Sequence, residues 1–229
     1  MRGDERDGGA LSVLWIGLVV AAVAGATAYA LRQDVAGTWA MWLGLCVPYG
    51  ALGVLAVLRL RAAGVLRERL RLRGGDPTLG ILAGVVLLAG AWLVCNVLAP
   101  HGSPRRAWLF QVFIVSGSAQ ETTFTLLLVL LVFLEELVWR GLVLHELEQR
   151  LSRRAAPAAA AALYALAHLP SMFTLADPVA GINPLLVVAA FALGLPCGYL
   201  VQRRGTLVAA FFCHGVFSYF GATSFKYFM

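Results

Sequence analysis

Charge is what this sequence has least of. Only 13% of its 229 residues are Asp, Glu, Lys or Arg, while 60% are hydrophobic; a soluble domain carries about 25% charge. So little charge cannot cover a water-facing surface, which excludes an ordinary soluble globular protein. Cysteine is scarce as well. Cys46, Cys95, Cys197 and Cys213 all fall inside apolar runs, where thiols behave as small apolar groups, and no disulfide framework follows. The apolar runs lack the in-and-out alternation of barrel strands. Lipid offers no partner to a bare backbone N–H or C=O, so helices are the remaining way to cross it. There is no internal repeat, and the short loops hold no soluble recognition domain. The compact HExxH zinc-binding helix is also missing.

What is present is a series of runs long enough to cross a hydrocarbon core, which needs about 20 apolar residues in helix. Leu11 to Leu31, Thr38 to Leu58 and Thr78 to Pro100 are free of charge. A fourth run starts at Thr122 and stays apolar to Leu134, then meets Glu135, Glu136 and Arg140 before the polar segment His145 to Arg154. Ala155 to Ala176, Val179 to Gln202 and Thr206 to Phe225 complete the set. The fold class expected is therefore all-α, a polytopic transmembrane bundle of about seven spans. Trp108 to Gln120 is apolar but short and fits either an interfacial helix or a lead-in to the fourth span. The first run is too long for a secretory signal core and reads as a helix. The organisation expected is residues 1–106 as amino-terminal helices with a basic cytoplasmic loop, and 107–229 as the functional core. The Leu60 to Thr78 loop reads as a hinge between spans.

The basic residues give an orientation. Arg2, Arg6, Arg59, Arg61, Arg67, Arg69, Arg71, Arg73, Arg150, Arg153, Arg154, Arg203 and Arg204 fall in alternate loops, against Arg32, Arg105, Arg106 and Lys226 opposite. By the positive-inside rule the amino terminus is cytoplasmic. Juxtamembrane arginines of this kind sit on anionic lipid and account for the net charge of +6, so no nucleic-acid partner is implied. The Arg-over-Lys, Ala-rich composition suggests a bacterial inner membrane.

An ionisable side chain at the bilayer centre costs at least ~2.5–3.5 kcal/mol, so each one inside a span needs a reason. Five need one here: Glu135, Glu136, Arg140, His168 and His214. Glu136 and Arg140 are four apart, share a helix face and can neutralise each other. Glu135 lies about 100° away around the helix and is left needing a proton or a partner from another helix. Tyr164 shares a face with His168, and His214 with Ser218, by the same spacing. A lone buried histidine is more often a hydrogen-bonded structural group than a catalyst; an adjacent glutamate pair in an apolar run is rarer. If the three helices adjoin, a carboxylate base, two imidazoles and a hydroxyl meet, which suits activation of water and stabilisation of an oxyanion.

The ordered set Glu135-Glu136-x-x-x-Arg140, Tyr164-x-x-x-His168 and His214-x-x-x-Ser218 resembles the three-motif signature of the CPBP family, which includes type II CAAX prenyl endopeptidases, bacteriocin-processing enzymes and relatives. The resemblance covers about Thr122 to Phe220, including the small residues Ala190, Gly194 and Gly198. It implies an intramembrane peptidase in which Glu135 activates water with help from His168, and His214 steadies the oxyanion. Glu136, Arg140 and Tyr164 are implied as structural support of the site. A metal-free mechanism and a metal-dependent one both stand at this point; a zinc ion or other divalent metal would draw its ligands from Glu135, His168 and His214. The third motif commonly ends in Asn, and Ser218 reaches less far with a single donor. Tyr164 stands where Phe is common, which reads as a mild change.

The substrates implied are membrane-anchored or lipidated proteins and peptides, cleaved in CAAX-type, leader-peptide or carboxyl-terminal sorting-tail processing. Buried Glu and His also occur in proton-coupled transporters and relays, but those predict inverted repeats. A non-catalytic, bacteriocin-immunity-like membrane protein is the third reading.

Overall fold

The computed structural model describes residues 4–116 and 122–224. It is built of helices, with no strand among the described residues beyond an isolated bridge between Asp177 and Gly181. In chain order they are α1 (Asp4–Ala30), α2 (Trp39–Ala62), α3 (Leu66–Arg69), α4 (Asp76–Leu98), α5 (Arg106–Ser116) and α6 (Thr122–Glu136), which runs directly into a π-helical segment, Leu137–Val143, and α7 (Leu144–Glu148). Then come α8 (Ala155–Ala167), α9 (Ser171–Thr174), α10 (Leu185–Arg204) and α11 (Val208–Ser224). Val13–Ala30, Trp39–Ala62, Asp76–Leu98, Ala155–Thr174 and Leu185–Arg204 are each long and apolar enough to cross a membrane. The α6-to-α7 stretch and α11 are further apolar helices, and the whole is a polytopic helical bundle.

The bundle is packed for lipid rather than water. On α4 the buried residues are Asp76, Gly80, Gly84 and Cys95, while Val85, Val86, Leu93 and Val97 are exposed. Hydrocarbon is as apolar as a Val or Leu side chain, so nothing drives large residues inward; small residues go inside because they let backbones approach. A Cβ at Gly84 would lie 2.8 Å from the Cys213 carbonyl oxygen, and one at Gly80 would collide with the Ala209 carbonyl. These two glycines, one helical turn apart, therefore set how closely α4 packs on α11. The small residues noted on α10 do the same against α8: a Cβ at Gly194 would stand 3.0 Å from Ala161, and one at Gly198 3.0 Å from Pro157.

One predicted span boundary moves and another span is broken. The fifth run, expected to continue to Ala176, is matched by the span Ala155–Thr174, but α8 ends at Ala167 and α9 follows after Pro170, which has no N–H to extend the ladder. The sixth was expected from Val179, yet residues before Leu185 form a turn in which Asp177 accepts from the Val179 and Ala180 N–H groups. The short apolar segment left open by sequence, Trp108 to Gln120, is helical in α5 as far as Ser116, and its last residues lie outside the described residues. Its Trp108 and Leu109 are buried with Cys95, Ala99 and Leu185, and its Trp108 carbonyl accepts from Asn183 at 3.0 Å.

The expected hinge before α4 is instead a knot. Asp76 is fully buried and accepts from Arg204 Nε at 2.5 Å, Thr206 Oγ1 at 2.8 Å and the Arg73 N–H at 3.1 Å. Arg69 joins the same end of the bundle to α7 through Glu148 at 2.7 Å, and its carbonyl accepts from the Leu207 N–H at 2.8 Å. Gly205, at φ 74°, makes the left-handed turn between α10 and α11 that brings Thr206 to Asp76. A single core runs through both halves of the chain, joining Val19, Val23, Tyr49 and Leu60 to Val138, Trp139, Leu193 and Ala210.

Candidate active site

Glu135 and Glu136 close α6, where the helix passes into the π-helical segment. π-Turns interrupt α-helices rarely and cluster at functional sites. Every residue from Leu137 to Val143 is buried. Glu136 is ion-paired with Arg140, Nη1 to Oε1 at 3.1 Å, with the two side chains 1% and 2% exposed. The approach is an ion pair without good hydrogen-bond angles: among the described residues neither Arg140 Nη1 nor Nη2 has a well-aligned acceptor, and Glu136 Oε2 has no donor. Arg140 also lies with its guanidinium carbon 4.7 Å from the Tyr164 ring centroid, a cation–π contact.

His214, 3% exposed on α11, joins the two glutamates. Its Nδ1 lies 2.7 Å from Glu136 Oε1, and its Nε2 lies 3.3 Å from Glu135 Oε2. Ionised carboxylates only accept, so the His214 contact with Glu136 places a proton on Nδ1. The same Glu135 oxygen accepts from the Tyr164 hydroxyl at 3.0 Å. That bond shows Tyr164 to be more than a substitute for Phe, because Phe has nothing to offer the carboxylate. The fourth-span carboxylate thus finds its partners on two other helices, α8 and α11.

His168 is placed by the way α8 ends. Its N–H bonds to the Ala165 carbonyl, three residues back rather than four. This frees the Tyr164 carbonyl, which lies 2.8 Å from the ring Nδ1 of His168. A carbonyl cannot donate, so Nδ1 carries a proton there and Nε2 keeps a lone pair in the neutral ring. The imidazole stands edge-on to Tyr164, with centroids 4.7 Å apart. His168 is half-buried and Glu135 keeps 8% of its surface, so the cluster reaches a surface rather than being sealed.

Glu135, Glu136, Arg140, Tyr164, His168 and His214 are therefore brought together. Ser218, one turn beyond His214 on α11, is half-buried, and no hydrogen bond joins it to the other six among the described residues. A residue that motif reading did not single out packs beside the group: Tyr49 of α2, 1% exposed, whose hydroxyl accepts at 3.1 Å from Nε1 of Trp139, itself packed on Tyr164. A tyrosine in an apolar run gives no signal of its own; only the three-dimensional packing brings it to Trp139.

The donor set does not fit a metal. Among the described residues no three His, Cys, Asp or Glu side chains are arranged to hold one. Both His214 nitrogens already face carboxylates, and His168 turns Nδ1 to a backbone carbonyl. Chemically, the arrangement offers a carboxylate whose orientation is fixed by neighbouring donors, a neutral imidazole with a free nitrogen beside it, and a second imidazole held by the Glu136–Arg140 pair.

Residues 117–220 match the family described as Type II CAAX prenyl endopeptidase Rce1-like, so the resemblance carried by the three motifs is borne out by the family comparison. By that description the matched family is one of proteases, hence hydrolases, that act on CAAX-type substrates. No curated protein and no solved structure matches the chain.

Proposed function

We propose, from a chain whose residues 117–220 are Rce1-like, that this protein is an intramembrane endopeptidase. It hydrolyses a peptide bond near the membrane surface in a membrane-anchored or lipidated protein, of the CAAX, leader-peptide or sorting-tail kind. The observation that carries this reading is the placement of Glu135: a carboxylate inside an apolar bundle, held by Tyr164 and His214, with part of its surface left open.

In this mechanism Glu135 accepts a proton from a water molecule oriented by His168 Nε2. The water oxygen attacks the scissile carbonyl carbon, and the C=O electron pair moves onto oxygen. A His214 carrying both ring protons donates from Nδ1 to Glu136 and presents Nε2–H to that oxyanion, a donor fixed before reaction begins. Collapse of the tetrahedral species breaks the C–N bond, and the proton held by Glu135 passes to the departing amine. Ser218 serves as a secondary, water-mediated donor. Glu136 and Arg140 keep His214 oriented, and the amino terminus lies on the cytoplasmic side of a bacterial inner membrane.

The substrate is found by comparing membrane and secreted proteomes of cells carrying the wild type or Glu135→Ala. An uncut precursor that accumulates only with Glu135→Ala is the expected result. Identical proteomes, together with substrate-dependent proton flux in liposomes that requires Glu135, would replace the peptidase by a transporter.

A further inference from the structure

Glycines decide which helices of the bundle meet closely and which stand apart. Gly80 and Gly84 seat α4 against α11, while Gly194 and Gly198 seat α10 against α8. Each helix is thereby turned toward a different neighbour, and between α4 and α10 runs a groove of about 660 Å³, the size of a small-molecule site. Its walls include Leu79 and Ala83 from α4 and Pro196 and Leu200 from α10. Arg203 and Arg204, the last residues of α10, stand at one end of it.

The two arginines differ in what they face. Arg204 gives Nε to the buried Asp76 carboxylate at 2.5 Å and Nη2 to the Gly74 carbonyl at 2.7 Å, so its charge is already answered. Other acids at this end are answered too: Glu68 faces Arg73, and Glu148 faces Arg69. Arg203 is exposed, and its side chain has neither an ion pair nor a hydrogen bond among the described residues. Tyr199, which lines the groove one turn before Arg203, donates its hydroxyl to the Arg154 carbonyl at 3.2 Å. That bond holds the exposed Arg153 and Arg154 beside the same end. An apolar groove that ends in unanswered positive charge matches a molecule with a hydrocarbon chain and an anionic head. We infer that the α4–α10 groove binds an anionic phospholipid from the leaflet on the arginine-rich side. An acyl chain lies along Leu79, Ala83 and Pro196, and the phosphate rests on Arg203. A zwitterionic head brings no net charge to Arg203, so charge sets this site apart from ordinary lipid contact. The site stands whether or not Glu135 is a base.

The test is native mass spectrometry of the full-length protein, released from micelles that hold equal amounts of phosphatidylglycerol and phosphatidylcholine with the same acyl chains. Wild type retains phosphatidylglycerol about fivefold over phosphatidylcholine, the preference that one arginine near an anionic head supplies. Arg203→Gln, a change at an exposed position, brings the ratio to about one. Arg61→Gln, at an exposed arginine in the last turn of α2, leaves the wild-type ratio unchanged. Ala83→Trp, which fills the groove, lowers retention of both lipids. Equal retention of the two lipids by wild type overturns the inference and leaves the groove an ordinary hydrocarbon contact. So does an equal loss of preference in Arg61→Gln and Arg203→Gln, because the attraction then comes from the whole basic surface. Undiminished retention in a folded Ala83→Trp overturns it as well, by placing the lipid elsewhere. The comparison of Arg203 with Arg61 decides the question even where Ala83→Trp does not fold.

Discussion

Adjacent glutamates that look alike in sequence have different consequences when neutralised. Glu136 faces Arg140 at 3.1 Å with both side chains almost wholly buried. At an effective dielectric of ~20 that attraction is about 5 kcal/mol, and removing one partner of a buried pair costs ~3–5 kcal/mol because the other charge is stranded. Glu136→Gln strands Arg140, whose Nη2 has no aligned acceptor among the described residues even in the wild type, so the loss falls near the upper figure. Arg140→Met falls near the lower one, because His214 stays 2.7 Å from Glu136. Glu135→Gln is milder. The amide oxygen, standing where Oε2 stood, can still accept from Tyr164 and from the His214 Nε2–H, leaving a loss of about 1 kcal/mol. The assay is reversible unfolding in mixed micelles with SDS, followed by tryptophan fluorescence. Equal losses for Glu135→Gln and Glu136→Gln, or the reverse order, would refute the division between a base and its structural neighbour.

Three further outcomes follow from the same geometry. Tyr164→Phe removes the 3.0 Å bond to Glu135 and lowers kcat by about 10-fold at a stability cost near 1 kcal/mol, measured by cleavage and unfolding side by side. Gly84→Val pushes α4 away from the Cys213 carbonyl, next to His214; the strain is about 1–3 kcal/mol and activity falls with it, whereas Gly90→Ala, with open space around it, changes neither. Asp76→Ala leaves Arg204 and Thr206 without their buried acceptor and destabilises by about 3 kcal/mol in the same micelle titration.

Much of this was legible before the fold was seen, for a physical reason: lipid punishes every buried charge, so the charges that remain stand out. That is how Glu135, Glu136, Arg140, His168 and His214 could be picked from uncharged surroundings, and how the Glu136–Arg140 pair followed from helical spacing alone. What escaped was whatever spacing does not encode. Tyr49 sits 90 positions before Trp139, and a phenol in an apolar run looks like any core aromatic. The π-helical segment leaves no periodic mark over so few residues. Asp76 was misread as part of a hinge because its partners Arg204 and Thr206 lie far along the chain. Tyr164 stands out less because the exchange of Phe for Tyr is conservative in volume, yet it adds a donor that reaches Glu135.

The most direct test of the central claim is the rate at which purified wild type and Glu135→Gln cleave the precursor in nanodiscs, run in ¹⁸O-labelled water. Loss of about a thousandfold in kcat for Glu135→Gln, with label entering the new carboxyl terminus in the wild type, is the result predicted for a carboxylate that activates water. Equal rates for the two proteins would contradict it.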